Sequence, residues 1–291
     1  MKVVSVNTVK NNASGFDAVA GIAAATRDLR LDSIELDFSS CSFFEANMAA
    51  PLYTVIARLR NDLNDVSIVN MSSEIRKVLR KNKFLKMFNQ PDLTDIDQMT
   101  WPFKVFKLSA GDQFGDYLDA HMKGRGIPVV SEALSKRFRQ SLFEIFLNAT
   151  LHSQSESGIF VCGQLYPQKQ RMDFTISDAG VGIRENVRRY TGKKKISSCN
   201  AILWAMAEGN TTKTGNQPGG LGLKLIKDFI KINLGKMHVV SRFGYYEFSA
   251  NGESLHKINN DFPGTCIHVE INTKDTNRYC LRSELKSEDI F

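Results

Sequence analysis

Hydrophobic positions along the chain follow two periods, the two-residue period of strands and the helical period of three to four. In residues 1–90 the two patterns alternate. They predict strands at Val3–Val9, Ser33–Phe38 and Val66–Met71, and helices at Phe16–Leu29, Ala46–Leu63 and Ser72–Asn82. Strand and helix in alternation are typical of an α/β layer sandwich, so this segment is predicted to form an α/β domain.

Residues 91–102 contain Pro91 and several aspartates and are predicted to be a linker. Residues 103–272 are predicted to form an α+β domain with an antiparallel sheet, and residues 273–291 a peripheral tail. The predicted strands are 103–108, 158–163, 171–177, 237–241, 245–249 and 265–271, and the predicted helices are 111–122, 138–153, 199–207 and 224–230. Residues 184–219 are polar and punctuated by glycine, which predicts a long loop with one short helical insert.

The predicted helix Phe138–Ser153 carries Glu144, Asn148 and His152 at four-residue intervals, on a surface that is otherwise apolar. Residues spaced by four lie on one stripe of a helix. Polar groups in such surroundings need a partner. A phosphate ligand with a bound cation would supply one, because Asn offers Mg²⁺ a neutral oxygen and Glu can take a proton from a nucleophile. A buried helix with internally satisfied polar groups is the structural alternative.

Two glycine-containing stretches follow this helix. The alternating strand that ends near Ile176 delivers Asp178 to its end, and Gly180 and Gly182 allow backbone to approach a flat ligand closely. Residues 218–223, PGGLGL, run directly into a helical pattern. A glycine turn at a helix start directs free N–H groups at an anion, which predicts a phosphate cradle.

These motifs, in this order, resemble the GHKL ATPase and kinase superfamily, whose nucleotide-binding domain has the Bergerat fold. The N box of the family is similar to Glu144 and Asn148, and His152 stands where anti-sigma-factor kinases often carry histidine. Its D-x-G-x-G box is similar to residues 178–182, its G-L-G-L box to residues 220–223, and its closing G-T to residues 264–265. The chain departs from the pattern at Pro218, where many of the kinases have glycine.

The resemblance implies ATP and Mg²⁺ as cofactors. Asn148 would coordinate Mg²⁺, Glu144 would be the catalytic base, and Asp178 would accept a hydrogen bond from the adenine amino group, with Thr265 supporting it through water. The implied nucleotide-binding residues are Asn148, Asp178, Gly180, Gly182, Ile183, Thr212, Lys213, Gly220, Leu221, Gly222, Leu223 and Thr265. Thr212 and Lys213 could equally be solvated loop residues.

Residues 37–47, DFSSCSFFEAN, are similar to the STAS domains that antagonise anti-sigma factors, in which a serine after the strand is phosphorylated. Glu45 and Ala46 occupy the matching places here. Ala46 has no hydroxyl, so it cannot be phosphorylated. The favoured interpretation of residues 1–90 is a packing or dimerisation module that binds a protein partner, and a homodimer is consistent with it.

Three fates of the phosphate remain open. The attacker is water in an ATPase, a hydroxyl of a separate protein in a serine/threonine kinase, or absent in a nucleotide-gated binding module. The net charge of +7 does not by itself indicate nucleic acid as a partner, because the sequence contains no recognition helix and no aromatic–basic platform. The five scattered cysteines, with no signal peptide and no apolar run of about 18 residues, predict a reduced cytoplasmic protein that does not enter a membrane.

Overall fold

The computed structural model describes residues 1–122, 128–207, 210 and 221–284. The strands are β1 (Lys2–Ser5), β2 (Ser33–Asp37), β3 (Asp65–Val69), β4 (Thr100–Phe106), β5 (Ile159–Tyr166), β6 (Arg171–Asp178), β7 (Lys236–Ser249) and β8 (Gly252–Asn272). The helices are α1 (Ala13–Ala25), α2 (Ala49–Asn61), α3 (Ser73–Lys81), α4 (Gly111–Met122), α5 (Glu132–His152), α6 (Ile183–Thr191), α7 (Ser198–Met206) and α8 (Leu221–Asn233).

These strands form two sheets, which confirms the mixed α/β architecture. Strands β1, β2 and β3 form a parallel sheet in that order, with α1 and α2 as the two crossovers. The second sheet is antiparallel and has the order β4-β5-β6-β8-β7. Strand β6 therefore lies at its centre, between β5 and β8.

Helices α1 and α2 pack between the two sheets and cover one face of the antiparallel sheet. The ring of Phe16 on α1 lies 6.1 Å from that of Phe262 on β8, and the ring of Tyr53 on α2 lies 4.9 Å from that of Phe160 on β5. Buried side chains of both sheets belong to one hydrophobic cluster at this face. The N-terminal segment and the antiparallel sheet therefore share a core.

The opposite face of the antiparallel sheet is covered by α4, α5 and α8, which form a second hydrophobic cluster with it. The rings of Phe114 on α4 and Phe146 on α5 are stacked, with centroids 4.1 Å apart. Helix α5 begins with a capping interaction, because the Ser131 hydroxyl accepts a hydrogen bond from the Leu134 N–H at 3.1 Å.

Four sequence predictions need correction. Residues 184–191 are not an irregular loop but belong to α6, whose residues are mostly half-buried around the buried Val187. Strand β4 begins at Thr100, inside the predicted linker, because Trp101 packs into the core at 1% exposure. The strands predicted at 237–241 and 245–249 form the single strand β7, with bulges near Arg242. The predicted peripheral tail is anchored, because the Tyr279 carbonyl accepts a hydrogen bond from Ser131 N–H.

A buried ionic contact joins the N-terminal segment to the antiparallel sheet. The Glu45 carboxylate pairs with Lys169 and Arg171, and accepts a hydrogen bond from the Asn11 N–H. Burial raises the pKa of Glu45, but these partners outweigh it and the net pKa is lowered. Arg171 also pairs with Asp173, whose own pKa burial raises well above its usual range.

Ala46, which the STAS resemblance places where a serine is phosphorylated, lies in the same contact. It is 1% exposed, and its N–H donates to the Tyr166 hydroxyl on β5 at 2.9 Å. Glu45 and Ala46 therefore form an internal contact between the two sheets.

Among the described helices, none combines the length and the apolar character required to span a bilayer.

We expect Glu45→Gln to lower the free energy of unfolding by about 3–5 kcal/mol, because it leaves Arg171 buried with an incomplete set of partners. Urea denaturation at neutral pH measures the change. Glu156→Gln, which removes an exposed carboxylate, is the matched control and should be neutral. An equal and small effect of both substitutions would show that the buried contact contributes little to stability.

Candidate functional site

A cavity of about 150 Å³ lies on the α5 side of the antiparallel sheet. Its walls are the C-terminal half of α5, the end of β6, α6, α7 and the first turn of α8, with β8 behind. The lining residues are Ile145, Asn148, Ala149, His152, Ser153, Ile176, Asp178, Gly182, Ile183, Asn186, Val187, Trp204, Ala205, Asn210, Leu223, Thr265 and Ile267. An apolar cavity of roughly 150 Å³ is large enough to take up a benzene ring, so a flat aromatic group fits.

Helix α5 presents part of the predicted polar stripe to this cavity. Asn148 and His152 line it, whereas Glu144, one turn earlier, is half-buried and lies outside the lining. The Asn148 side chain makes no hydrogen bond to any residue that the structure describes. It is therefore the polar group on this wall that is available to a ligand.

Asp178 is the last residue of β6, and the neighbouring strands hold it in register with Ile159 and Thr265. Its carboxyl is 4% exposed and accepts a hydrogen bond from the Gly180 N–H at 2.9 Å. Burial raises the pKa of Asp178 to about 7, and the N–H groups of Gly180 and Thr265 oppose that shift. A carboxyl poised near neutral pH at the wall of an apolar cavity is typical of a functional group.

The turn after Asp178 is fixed against the end of α5. The Val181 N–H donates to the Ser153 carbonyl at 2.8 Å. A Cβ atom on Gly180 would lie 1.9 Å from that same carbonyl oxygen. Gly180 does not line the cavity, so the structure gives a different reason for this glycine from the predicted approach of a ligand: the backbone of Ser153 occupies the space.

Gly182, which does line the cavity, has a φ of +81°, a conformation that favours glycine. The next N–H, that of Ile183, donates to the Ser241 hydroxyl at 2.9 Å, and this hydroxyl lies 3.1 Å from the Thr265 hydroxyl. Gly264 has a φ of +154°, and a Cβ there would lie 1.9 Å from the Asp178 carbonyl oxygen. Backbone is therefore closely packed where Gly264 meets Asp178, whereas side chains of Ser241 and Arg242 pack against Gly182.

The second glycine motif is described only in part. Gly220, Thr212 and Lys213 lie outside the described residues. Helix α8 begins at Leu221 and includes Gly222, and Leu223 in its first turn lines the cavity. A helix therefore follows the predicted glycine turn, and the first turn of this helix borders the cavity.

Sequence reasoning did not identify Asn186, Trp204 or Asn210 as lining residues. The Asn186 amide donates to the carbonyl of His152 at 2.8 Å, which joins α6 to the end of α5. The ring of Trp204 on α7 lies 5.6 Å from that of Tyr190. The only sequence signal for Asn186 is its position near Ile183 in the helix that follows the first glycine box, and Trp204 had none beyond its rarity.

A second cluster, on the face of the sheet covered by α1 and α2, contains Asp173, His268 and Glu270, whose ligand atoms lie within 4.8 Å of one another. The Arg171 guanidinium pairs with both carboxylates there. Burial lowers the pKa of His268 well below its usual range, so the imidazole is neutral. Because Arg171 already supplies the positive charge, we assign no metal to this cluster.

The cavity therefore combines apolar walls for a flat ring, a carboxyl acceptor on one side and an amide oxygen on the other. Compared with models of protein families and with curated proteins, the chain matches none.

The raised pKa of Asp178 predicts a pH dependence of stability. In the unfolded chain the carboxyl loses its proton near pH 3.8, and in the folded chain near pH 7, so stability decreases as pH rises between these values. We expect Asp178→Asn to remove this component and to be more stable than wild type at pH 8, by about 4 kcal/mol. Urea denaturation at pH 5 and pH 8 measures it, and parallel pH profiles for the two proteins would contradict the assignment.

Proposed function

We propose that the chain is a Mg²⁺-dependent ATP-binding signalling protein of the GHKL type, which hydrolyses ATP or transfers its γ-phosphate. The observation that carries the proposal is the buried Asp178 carboxyl, held by the Gly180 N–H, beside an aromatic-sized cavity whose opposite wall presents Asn148. In this proposal residues 103–272 are a Bergerat-fold nucleotide-binding domain. Residues 1–90 are a STAS-like interaction module for a protein partner.

The arrangement of the elements supports this assignment. The antiparallel sheet carries α5 and α8 on one face, and the residues of all four predicted motifs converge there along the chain: Asn148, Asp178, Leu223 and Thr265 line one cavity. Chance glycine turns would not place a strand end, two helices and a second strand around the same space. The five cysteines are free thiols, in keeping with the reducing cytoplasm in which we place the protein.

Adenine recognition would depend on Asp178. Its carboxylate accepts a hydrogen bond from the exocyclic amino group, whereas the keto oxygen of guanine at that position would be repelled. Ile145, Ile176 and Ile183 provide apolar walls for the faces of the base. Because the amino group pairs best with the ionised carboxyl, base binding favours loss of the Asp178 proton.

The phosphates would extend towards Asn148 and the start of α8. Asn148 fits a magnesium site, since its amide is without a partner among the described residues and Mg²⁺ binds through few protein oxygens together with phosphates and water. Bound Mg²⁺ would neutralise the charge of the phosphates, as phosphoryl transfer requires. The backbone of residues 220–223, with Thr212 and Lys213, would hold the phosphate chain.

Glu144 would take the proton from the attacking group. The two alternatives to hydrolysis are a protein kinase and a nucleotide-gated module without turnover. The buried Ala46 offers no hydroxyl, so a kinase of the anti-sigma-factor type would have to act on a separate partner. Glu144 lies outside the cavity lining, which favours a nucleotide-gated module without turnover.

We expect Asp178→Asn to weaken ATP binding at least tenfold, because an amide presents a donor as well as an acceptor to the adenine amino group and loses the charge-assisted hydrogen bond. Calorimetric titration of Mg·ATP at pH 8 measures the affinity, with Mg·GTP as the specificity control. Asp112→Asn, at an exposed position on α4, should bind as wild type does. Unchanged ATP affinity in Asp178→Asn would remove the adenine assignment.

We expect Glu144→Gln to retain ATP affinity and to lose turnover by roughly a hundredfold or more, the usual contribution of a general base. Phosphate release measures hydrolysis, and label transfer from γ-labelled ATP to co-purifying proteins measures kinase activity. Wild type without either activity would favour the nucleotide-gated module. Turnover that is undiminished in Glu144→Gln would show that this carboxylate is not the base.

A further inference from the structure

A second cleft, of about 390 Å³, lies where the C-terminal ends of α1 and α2 meet β7 and β8. Four arginines and two aspartates line it, which gives it a net charge of +2. Arg27, Arg30 and Arg58 come from the N-terminal segment, and Arg242 comes from the antiparallel sheet. The charged residues of the cleft are Arg27, Arg30, Arg58, Asp62, Arg242 and Asp261.

The two aspartates are already in use. Asp62 pairs with Arg30, and Asp261 pairs with Arg242. Among the residues that the structure describes, Arg27 and Arg58 have neither an ion pair nor a side-chain hydrogen bond, and both are exposed at the rim of the cleft. Two guanidinium groups therefore face this space without a hydrogen-bonded partner among the described residues, and their charges act on Asp261, whose pKa they lower against the effect of burial.

The arginines are close enough to act on one another. Burial lowers the pKa of Arg242; the charge of Asp261 opposes this, and those of Arg58, Arg184 and Arg27 lower the pKa further. Like charges gathered in this way repel one another. An anion in the cleft would relieve that repulsion.

We propose that this cleft binds a phosphate monoester dianion, with Arg27 and Arg58 as its principal ligands. A phosphate monoester carries a charge of about −1.5 to −2 near neutral pH, which balances the cleft, and its oxygens match the bidentate geometry of guanidinium groups. The exposed rim suits the phosphorylated side chain of a protein partner, and free inorganic phosphate has the same chemistry.

The cleft is next to the nucleotide cavity proposed above but is distinct from it. The stem of Arg242 fills the space beside Gly182, since a Cβ on that glycine would lie 3.0 Å from the Arg242 Cγ and Cδ atoms. Gly182 lines the cavity and Arg242 lines the cleft, so one segment of backbone separates the two spaces. Anion binding here does not depend on the chain binding ATP.

The test is calorimetric titration of the full chain at low ionic strength with three probes: a phosphoserine peptide, its unphosphorylated twin and inorganic phosphate. We expect the phosphorylated probes to bind and the twin not to bind. Arg58→Gln and Arg27→Gln should each raise the Kd for phosphate-bearing probes about tenfold or more. Arg137→Gln, the same change at an exposed arginine of α5, should leave the Kd unchanged.

Tighter binding of the peptide than of inorganic phosphate assigns the site to a phosphorylated protein, and equal binding assigns it to free phosphate; either result supports the site. Three results would overturn it: no binding at millimolar phosphate, equal affinity in wild type and Arg58→Gln, or loss of phosphate binding in Asn148→Ala, which would place the anion in the nucleotide cavity instead. Because Arg27 and Arg58 are exposed, circular dichroism should show both variants folded, and phosphate should raise the Tm of wild type more than theirs.

Discussion

The contact between Gly180 and the Ser153 backbone determines the geometry of the candidate site. There is no room for a Cβ atom between the Gly180 backbone and the Ser153 carbonyl, so the turn after β6 can approach the end of α5 only with glycine. This approach sets the separation between Asp178 on one wall and Asn148 on the other. A substitution at Gly180 would move the two walls apart before it affected any group that touches a ligand.

The opposite face of the sheet is equally constrained, by the helices of the N-terminal segment. Thr54 on α2 hydrogen bonds to Ser177 on β6 at 2.7 Å, one residue before Asp178. The strand that carries Asp178 is therefore held on its other face by the N-terminal segment. The two predicted domains share a core and a buried ionic contact at Glu45, so the N-terminal segment supports the candidate site.

Local patterns in the sequence were sufficient to predict most elements, because each strand and helix buries one face and its periodicity records this. The helix α4 and the positions of Asn148 and Asp178 followed from such patterns. The helix α6 was missed because only Val187 of its residues is buried, which leaves almost no apolar period. The reason for Gly180, the convergence of Arg58 with Arg242 and the shared core all depend on contacts between distant residues, and local patterns contain no information about them.

The shared core also has a consequence for biosynthesis. Helices α1 and α2 emerge from the ribosome long before β5 to β8, which cover their apolar faces. The ring of Phe16 packs against that of Phe262, which is synthesised 246 positions later in the chain. Contacts between residues so distant in sequence form late and slow folding. The nascent N-terminal segment therefore exposes apolar surface during most of translation, and such surface favours aggregation. Its helices cannot complete their packing until β8 has been synthesised.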